Sequence, residues 1–206
     1  MKIVDYKDLN LQPLDIILCS GESRMSRSIV KFQRMCGANG HAAEISHVAS
    51  IYNDYVGQTP RVFESTTLNW NGKKGVQMNR LSEWLPNYNG RVFVKQLLRS
   101  VRPSFLNADR RFWLEHYTDS YESGIPGTVE LLLCGLRLSK YVRKVFPNYK
   151  PSATDKLHCT ELIAMRMKHH EVWNYEVNVN RMPPHIWWSA IDIYLKIPTE
   201  KIVRIK

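Results

Sequence analysis

A cysteine opens a helix-like run in LHCTELIAM, residues 157 to 165, where Thr160 and Glu161 fill a first turn and Leu162, Ile163 and Met165 follow. A helix N-terminus carries partial positive charge and unpaired N–H groups, so a thiolate at Cys159 is stabilised and its pKa falls from about 8.5 into the reactive range. The same N–H groups can hold the oxyanion formed when a thiolate attacks a carbonyl, which makes Thr160 a candidate for oxyanion or substrate binding. A nucleophile of this kind needs a base, and the base needs an orienting partner. Among seven histidines, His47 is best placed, because SHVASIY reads as a strand with Ala49 and Ile51 on the same face. Glu64, in RVFES, comes beside it if the two strands pair as a hairpin through NDYVGQTP. A buried carboxylate there fixes the imidazole tautomer and stabilises imidazolium. His41, in the loop after CGANG, is a candidate for substrate contact.

The competing readings are structural. A chain with four cysteines and seven histidines offers many Cys/His/Glu triplets, and spacing alone does not select one. Free cysteine is usually buried, which fits Cys36 on the apolar stripe Met25, Ile29, Phe32, Cys36 and Cys134 in the Leu-rich run ELLLCGL. His158 points away from its neighbour, His169 and His170 complement the dipole at a helix end, and His116 and His185 have no motif around them.

The elements that must carry these residues are legible as patterns. LDIILCS suits a buried strand, and SRMSRSIVKFQRMCG an amphipathic helix with a glycine stop. SHVASIY, RVFEST, GVQMNRL and RVFVKQL read as an antiparallel meander, with one helical turn at LSEWLPNY limited by Pro86. FLNADRRFWLEHYTDSY and RLSKYVRKVF read as helices, the basic row of the second as a solvated face. Pro183 and Pro184 can open a late helix, and KIVRI a closing strand. Strands and helices are segregated rather than alternating, which is α+β.

Composition bounds the partners. The 206 residues can bury a sizeable core, and the formal charge of +10 favours something anionic: nucleic acid, a phospholipid surface or a wall polymer. No nucleic-acid motif is present, no window is long and apolar enough for a transmembrane segment, and the N-terminus has no signal-like apolar region. The expected localisation is cytoplasmic at synthesis, with virion association as one route outward. Widely spaced cysteines argue against a metal cage or a disulfide framework, and no cofactor is expected.

Taken in order, LDIILCS, SHVASIY, VFEST and CTEL resemble the circularly permuted NlpC/P60 enzymes of the papain-like superfamily, the group of the bacterial YiiX and YebB proteins and lecithin:retinol acyltransferase. The resemblance covers residues 13 to 98 and about 155 to 168, with weaker echoes at GIPG and PPHIWWSAID. It implies a permuted papain-like fold over residues 1–206 as a single domain: an antiparallel sheet packed on the helix that carries the cysteine, with a helical insertion at about 103–150. It further implies Cys159 as nucleophile, His47 as base and Glu64 as orienting residue, in a thiol hydrolase of amide bonds acting on cell-wall stem peptides. The other readings are a lipid acyltransferase or esterase on the same triad, and a virion or tail component that keeps the fold as a structural or binding protein. Three positions depart from the group: Leu14 before Asp15 where Gly is frequent, Thr160 where Ser is common, and Gly127 after Pro126 where many carry Tyr.

Overall fold

A computed structural model describes residues 1–53, 59–66, 74–97, 103–117, 159–174, 183–189, 195, 199 and 201–206. Strand β1 (Ile16–Gly21) is followed by helix α1 (Arg24–Met35), strands β2 (His47–Tyr52), β3 (Arg61–Thr66) and β4 (Gly75–Arg80), helix α2 (Leu81–Asn87) and strand β5 (Gly90–Lys95). Helices α3 (Pro103–His116), α4 (Cys159–His169) and α5 (Pro184–Ser189) come next, and β6 (Val203–Arg204) closes the chain. The architecture is α+β: among the described residues the strands form one antiparallel sheet in the order β4-β3-β2-β1-β5-β6.

The meander expectation holds for β2 to β4 and fails for β5, which crosses to the far side of β1. The crossing follows from α2. Its apolar Leu81, Trp84 and Leu85 pack beneath the sheet with Ile17, Ala49 and Val62, carrying the chain across rather than back along β4. This helix runs for seven residues rather than one turn, with Pro86 confined to its last turn. Its C-terminal carbonyls are capped by Lys206, whose Nζ donates to Leu85 O, Pro86 O and Tyr88 O.

Strand alternation divides the core in two. Ile16, Leu18, Val48, Phe63 and Phe93 face α4, which buries Leu162, Ile163, Ala164 and Met167, together with Phe112 of α3 and Trp187 of α5. Ile17, Cys19, Ala49, Val62, Val92 and Val94 face α2. α1 is more peripheral than its stripe suggests: Met25 and Met35 are exposed, and Cys36 is half-buried at the C-cap rather than in the core. The residue of α1 that is buried is polar. Gln33 donates to Ala43 O and Ile45 O and accepts from His185 N, tying α1 to the segment entering β2 and to α5. Cys134, His158, Gly127, the ELLLCGL run and the RLSKYVRKVF helix lie outside the described residues, as does most of the expected insertion apart from α3.

The Leu14-Asp15 pair enters β1 under constraint. Leu14 has φ of 71°, the left-handed region that favours glycine, the residue frequent at this place in the group the sequence resembles. Strain on the order of 1 kcal/mol is offset by complete burial of the leucine, roughly 2 kcal/mol or more. Asp15 is buried too, accepting from Gln12 N on one oxygen and Leu97 N on the other, at 2.8 and 2.9 Å. Asp15→Ala leaves both donors unmet and is expected to destabilise by about 2–4 kcal/mol, seen as a lowered urea midpoint with an unchanged slope. Asp15→Asn, which keeps an acceptor, should cost less.

Candidate functional site

β2 begins at His47, and the N-terminus of α4 passes that same end of the strand. The strand is fixed there by Ser46, whose N–H donates to Cys19 O at 2.9 Å while its Oγ accepts from Gly21 N at 3.0 Å. Continuing the β2–β3 register from Ser50 opposite Phe63 places Ala49 opposite Glu64, so His47 and Glu64 are diagonal neighbours on one face of the sheet. Both side chains are long enough to close that diagonal, and His47 Nε2 lies 2.7 Å from Glu64 Oε2. Glu64 is fully buried, and its other oxygen accepts from Trp84 Nε1 at 2.9 Å and Gln77 Nε2 at 3.4 Å. A carboxylate held by two donors cannot swing away from the ring. Sequence reasoning missed Trp84 and Gln77; the available signal was a tryptophan in a polar, proline-bearing turn, since a buried indole N–H needs an acceptor.

Cys159 is the first residue of α4 and is buried. Burial works to raise its pKa, but the charge of His47, a hydrogen bond with that ring and backbone N–H groups of Val48 and Thr160 outweigh it and hold the thiol below its ordinary value. With Nε2 occupied by Glu64, Nδ1 is the ring nitrogen left for the thiol. Burial likewise works to lower the pKa of His47, but the Cys159 thiolate and then Glu64 push it up to about 10. The two shifts have one physical cause, a thiolate beside an imidazolium. Such a pair can supply a nucleophile and a proton donor together.

The other described cysteines, Cys19 and Cys36, differ. Burial pushes Cys19 well up, reinforced by the charge of Glu64, and burial also raises Cys36. Of the other site candidates, Thr160 is brought to the sulfur through its backbone N–H. His41 is not brought there: it is exposed, with Nδ1 3.3 Å from Glu44 Oε2 and its ring 5.7 Å from that of Trp188. His170 is more than a dipole complement, since its Nε2 lies 3.0 Å from Asp109 Oδ1 in a buried cluster.

That cluster is the second feature the sequence concealed. Arg166 is fully buried on α4, bidentate to Asp109 of α3 through Nε and Nη2, with Nη1 donating to Ser50 Oγ of β2. Its guanidinium lies 5.4 Å from the centroid of Tyr52 and 5.0 Å from that of Phe63. Seven residues of helix rise about 10.5 Å, and three residues of strand span about 10 Å. Cys159 to Arg166 therefore matches His47 to Ser50, and α4 is pinned to β2 at both ends.

No family model matches the chain, and no curated protein matches it. Among solved structures it is similar to the metalloprotein yiiX from Escherichia coli O157:H7, a DUF1105 protein, with a TM-score of 0.50 and 15% sequence identity over 95% of this chain and 89% of that one. Among the described residues, no group of three or more His, Cys, Asp or Glu side chains is placed to hold a metal ion, so these residues do not fit a bound metal. At this identity the likeness speaks to architecture, and the chain has a YiiX-like fold.

Proposed function

We propose that the chain is a cysteine hydrolase of the circularly permuted NlpC/P60 papain-like type, cleaving amide bonds through Cys159, His47 and Glu64. The Cys159 thiolate attacks the carbonyl, and backbone N–H groups at the start of α4, that of Thr160 among them, are the donors available to an oxyanion. His47 gives its proton to the leaving amine, and water then resolves the thioester with His47 as base. Glu64, held by Trp84 and Gln77, keeps the ring oriented and stabilises its charge. The observation that carries this reading is the 2.7 Å His47–Glu64 contact beside a thiol at the first residue of a helix. The YiiX-like fold is compatible with an enzyme. The +10 charge favours an anionic substrate, and the peptide stems of cell-wall polymer meet both requirements.

Incubation with muropeptides and, separately, with phospholipid vesicles, read by mass spectrometry, tests the proposal. Stem-peptide cleavage is the expected result, with activity falling on the acid side as Cys159 gains a proton and on the alkaline side as His47 loses its own near pH 10. Glu64→Gln keeps the shape and loses the charge, and should slow turnover by roughly 10²-fold. Acyl-chain release from phospholipid on the same residues would move the substrate class to lipid. No product from either, with Cys159 intact, would overturn the hydrolase reading.

A further inference from the structure

A cleft of about 850 Å³ lies between α1 and the ends of β1 and β5, lined by Ser20 and Gly21, by Arg27, Lys31 and Arg34 on one side and by Arg91 on the other. Its volume falls in the range of small-molecule sites. Arg27, Lys31 and Arg34 are spaced i, i+4, i+7, so one face of α1 presents three cations to a concave surface. Like charges at this spacing destabilise a helix by a few tenths of a kcal/mol per pair. A row of cations on a convex face is ordinarily just solvated, but here Arg91 converges on the same space from β5.

The counter-charge present is lopsided. Glu44, also at the cleft, lies 2.9 Å from Arg91 and 3.6 Å from Arg34, and it holds His41 as well. Arg27 and Lys31 form no ion pair among the described residues, and Glu22 is the other acid lining the cleft, against four cations. Guanidinium groups from two elements, with an ammonium on one of them, match the tetrahedral oxygens of a phosphate. Val30 and the exposed Met35 give the same wall an apolar component, which suits an organic phosphate better than a bare ion.

We propose that this cleft is a binding site for the phosphate group of a small organic ligand. Arg27 and Lys31 carry the interaction, and Arg34 and Arg91 are shared with Glu44. The site stands apart from the reading of Cys159 as a nucleophile. It opens at Ser20 and Gly21, just beyond the Cys19–His47 pair in the β1–β2 register, so its occupant would lie beside that end of β2.

The test is titration calorimetry of the full chain with inorganic phosphate and with glycerol 3-phosphate, and co-sedimentation with phosphatidylglycerol/phosphatidylcholine vesicles against phosphatidylcholine alone. Saturable binding is expected, weakened roughly tenfold or more in Arg27→Gln/Lys31→Gln. The double variant Lys2→Gln/Arg24→Gln removes the same charge from exposed positions that do not line the cleft, and should bind as the parent does. Binding of the soluble phosphates supports a free ligand. Binding of the anionic vesicles alone, with the same variant dependence, supports a lipid headgroup as the source. Absence of binding in every arm, equal weakening by both double variants, or binding confined to long polyanions would overturn the site. Iodoacetamide reactivity of Cys159, unchanged in the cleft variant, keeps this outcome separate from the fate of the hydrolase reading.

Discussion

Replacing Cys159 by alanine is expected to abolish turnover, by roughly 10³-fold or more, with a melting curve close to that of the parent. Alanine is a good helix former and keeps the first turn of α4, so the substitution removes the sulfur and little else. His47→Ala should be about as damaging, because the residues of such a unit act together rather than additively. The variants differ in what they leave behind. Without the thiolate, the largest influence raising His47 is gone, and its pKa should fall from about 10, visible in the ring-proton NMR shift across pH. Without His47, Cys159 loses the charge that most strongly holds its thiol down and should titrate at higher pH. Full activity in a folded Cys159→Ala protein would remove the sulfur from the mechanism.

The largest effect on stability is expected at Arg166. Asp109 is 1% exposed, and its carboxylate stays ionised against burial because Arg166 and His170 hold its pKa below the ordinary value. Arg166→Ala strands that carboxylate and removes the guanidinium from beside Tyr52 and Phe63, a loss of about 3–5 kcal/mol. Arg166→Met with Asp109→Asn should recover part of it, since a buried pair is costly chiefly when one partner is left behind. A group with a depressed pKa contributes stability above its unfolded value that is lost as pH falls through the folded one, so the parent's acid unfolding should include a contribution from Asp109 that the double variant lacks. Because α4 is anchored two turns from Cys159, any Arg166→Ala protein that folds should also lose selective reactivity at Cys159. Urea melts and thiol labelling of the same samples read both effects.

What the sequence made legible was local. Apolar runs and alternation located β1 to β5, Pro184 marked the start of α5, and the run after Cys159 marked α4, because each depends on neighbours within one element. The His47–Glu64 pairing was legible because a short hairpin leaves few registers and both residues sit on one face. The path of β5 was not, since it depends on where α2 buries Trp84 rather than on the strand itself. Arg166 was hidden for a similar reason. A basic residue in a helix reads as solvent-facing unless its partner is known, and Asp109 lies 57 positions away. Cys36 failed in the other direction: its stripe is apolar, but α1 packs at the periphery and leaves it half-buried.

The measurement that bears most directly on the account is brief iodoacetamide labelling of the folded protein across pH, followed by peptide mapping of the four cysteines. A thiolate held beside an imidazolium should react at neutral pH ahead of Cys19, Cys36 and Cys134, with a midpoint below the ordinary thiol value that moves upward in His47→Ala. Cys19 should stay inert until strongly alkaline pH, since burial raises it well above that value. Equal labelling of all four thiols, or a Cys159 midpoint at the ordinary thiol value and indifferent to His47, would contradict the account and leave Cys159 as a buried thiol at the start of a helix.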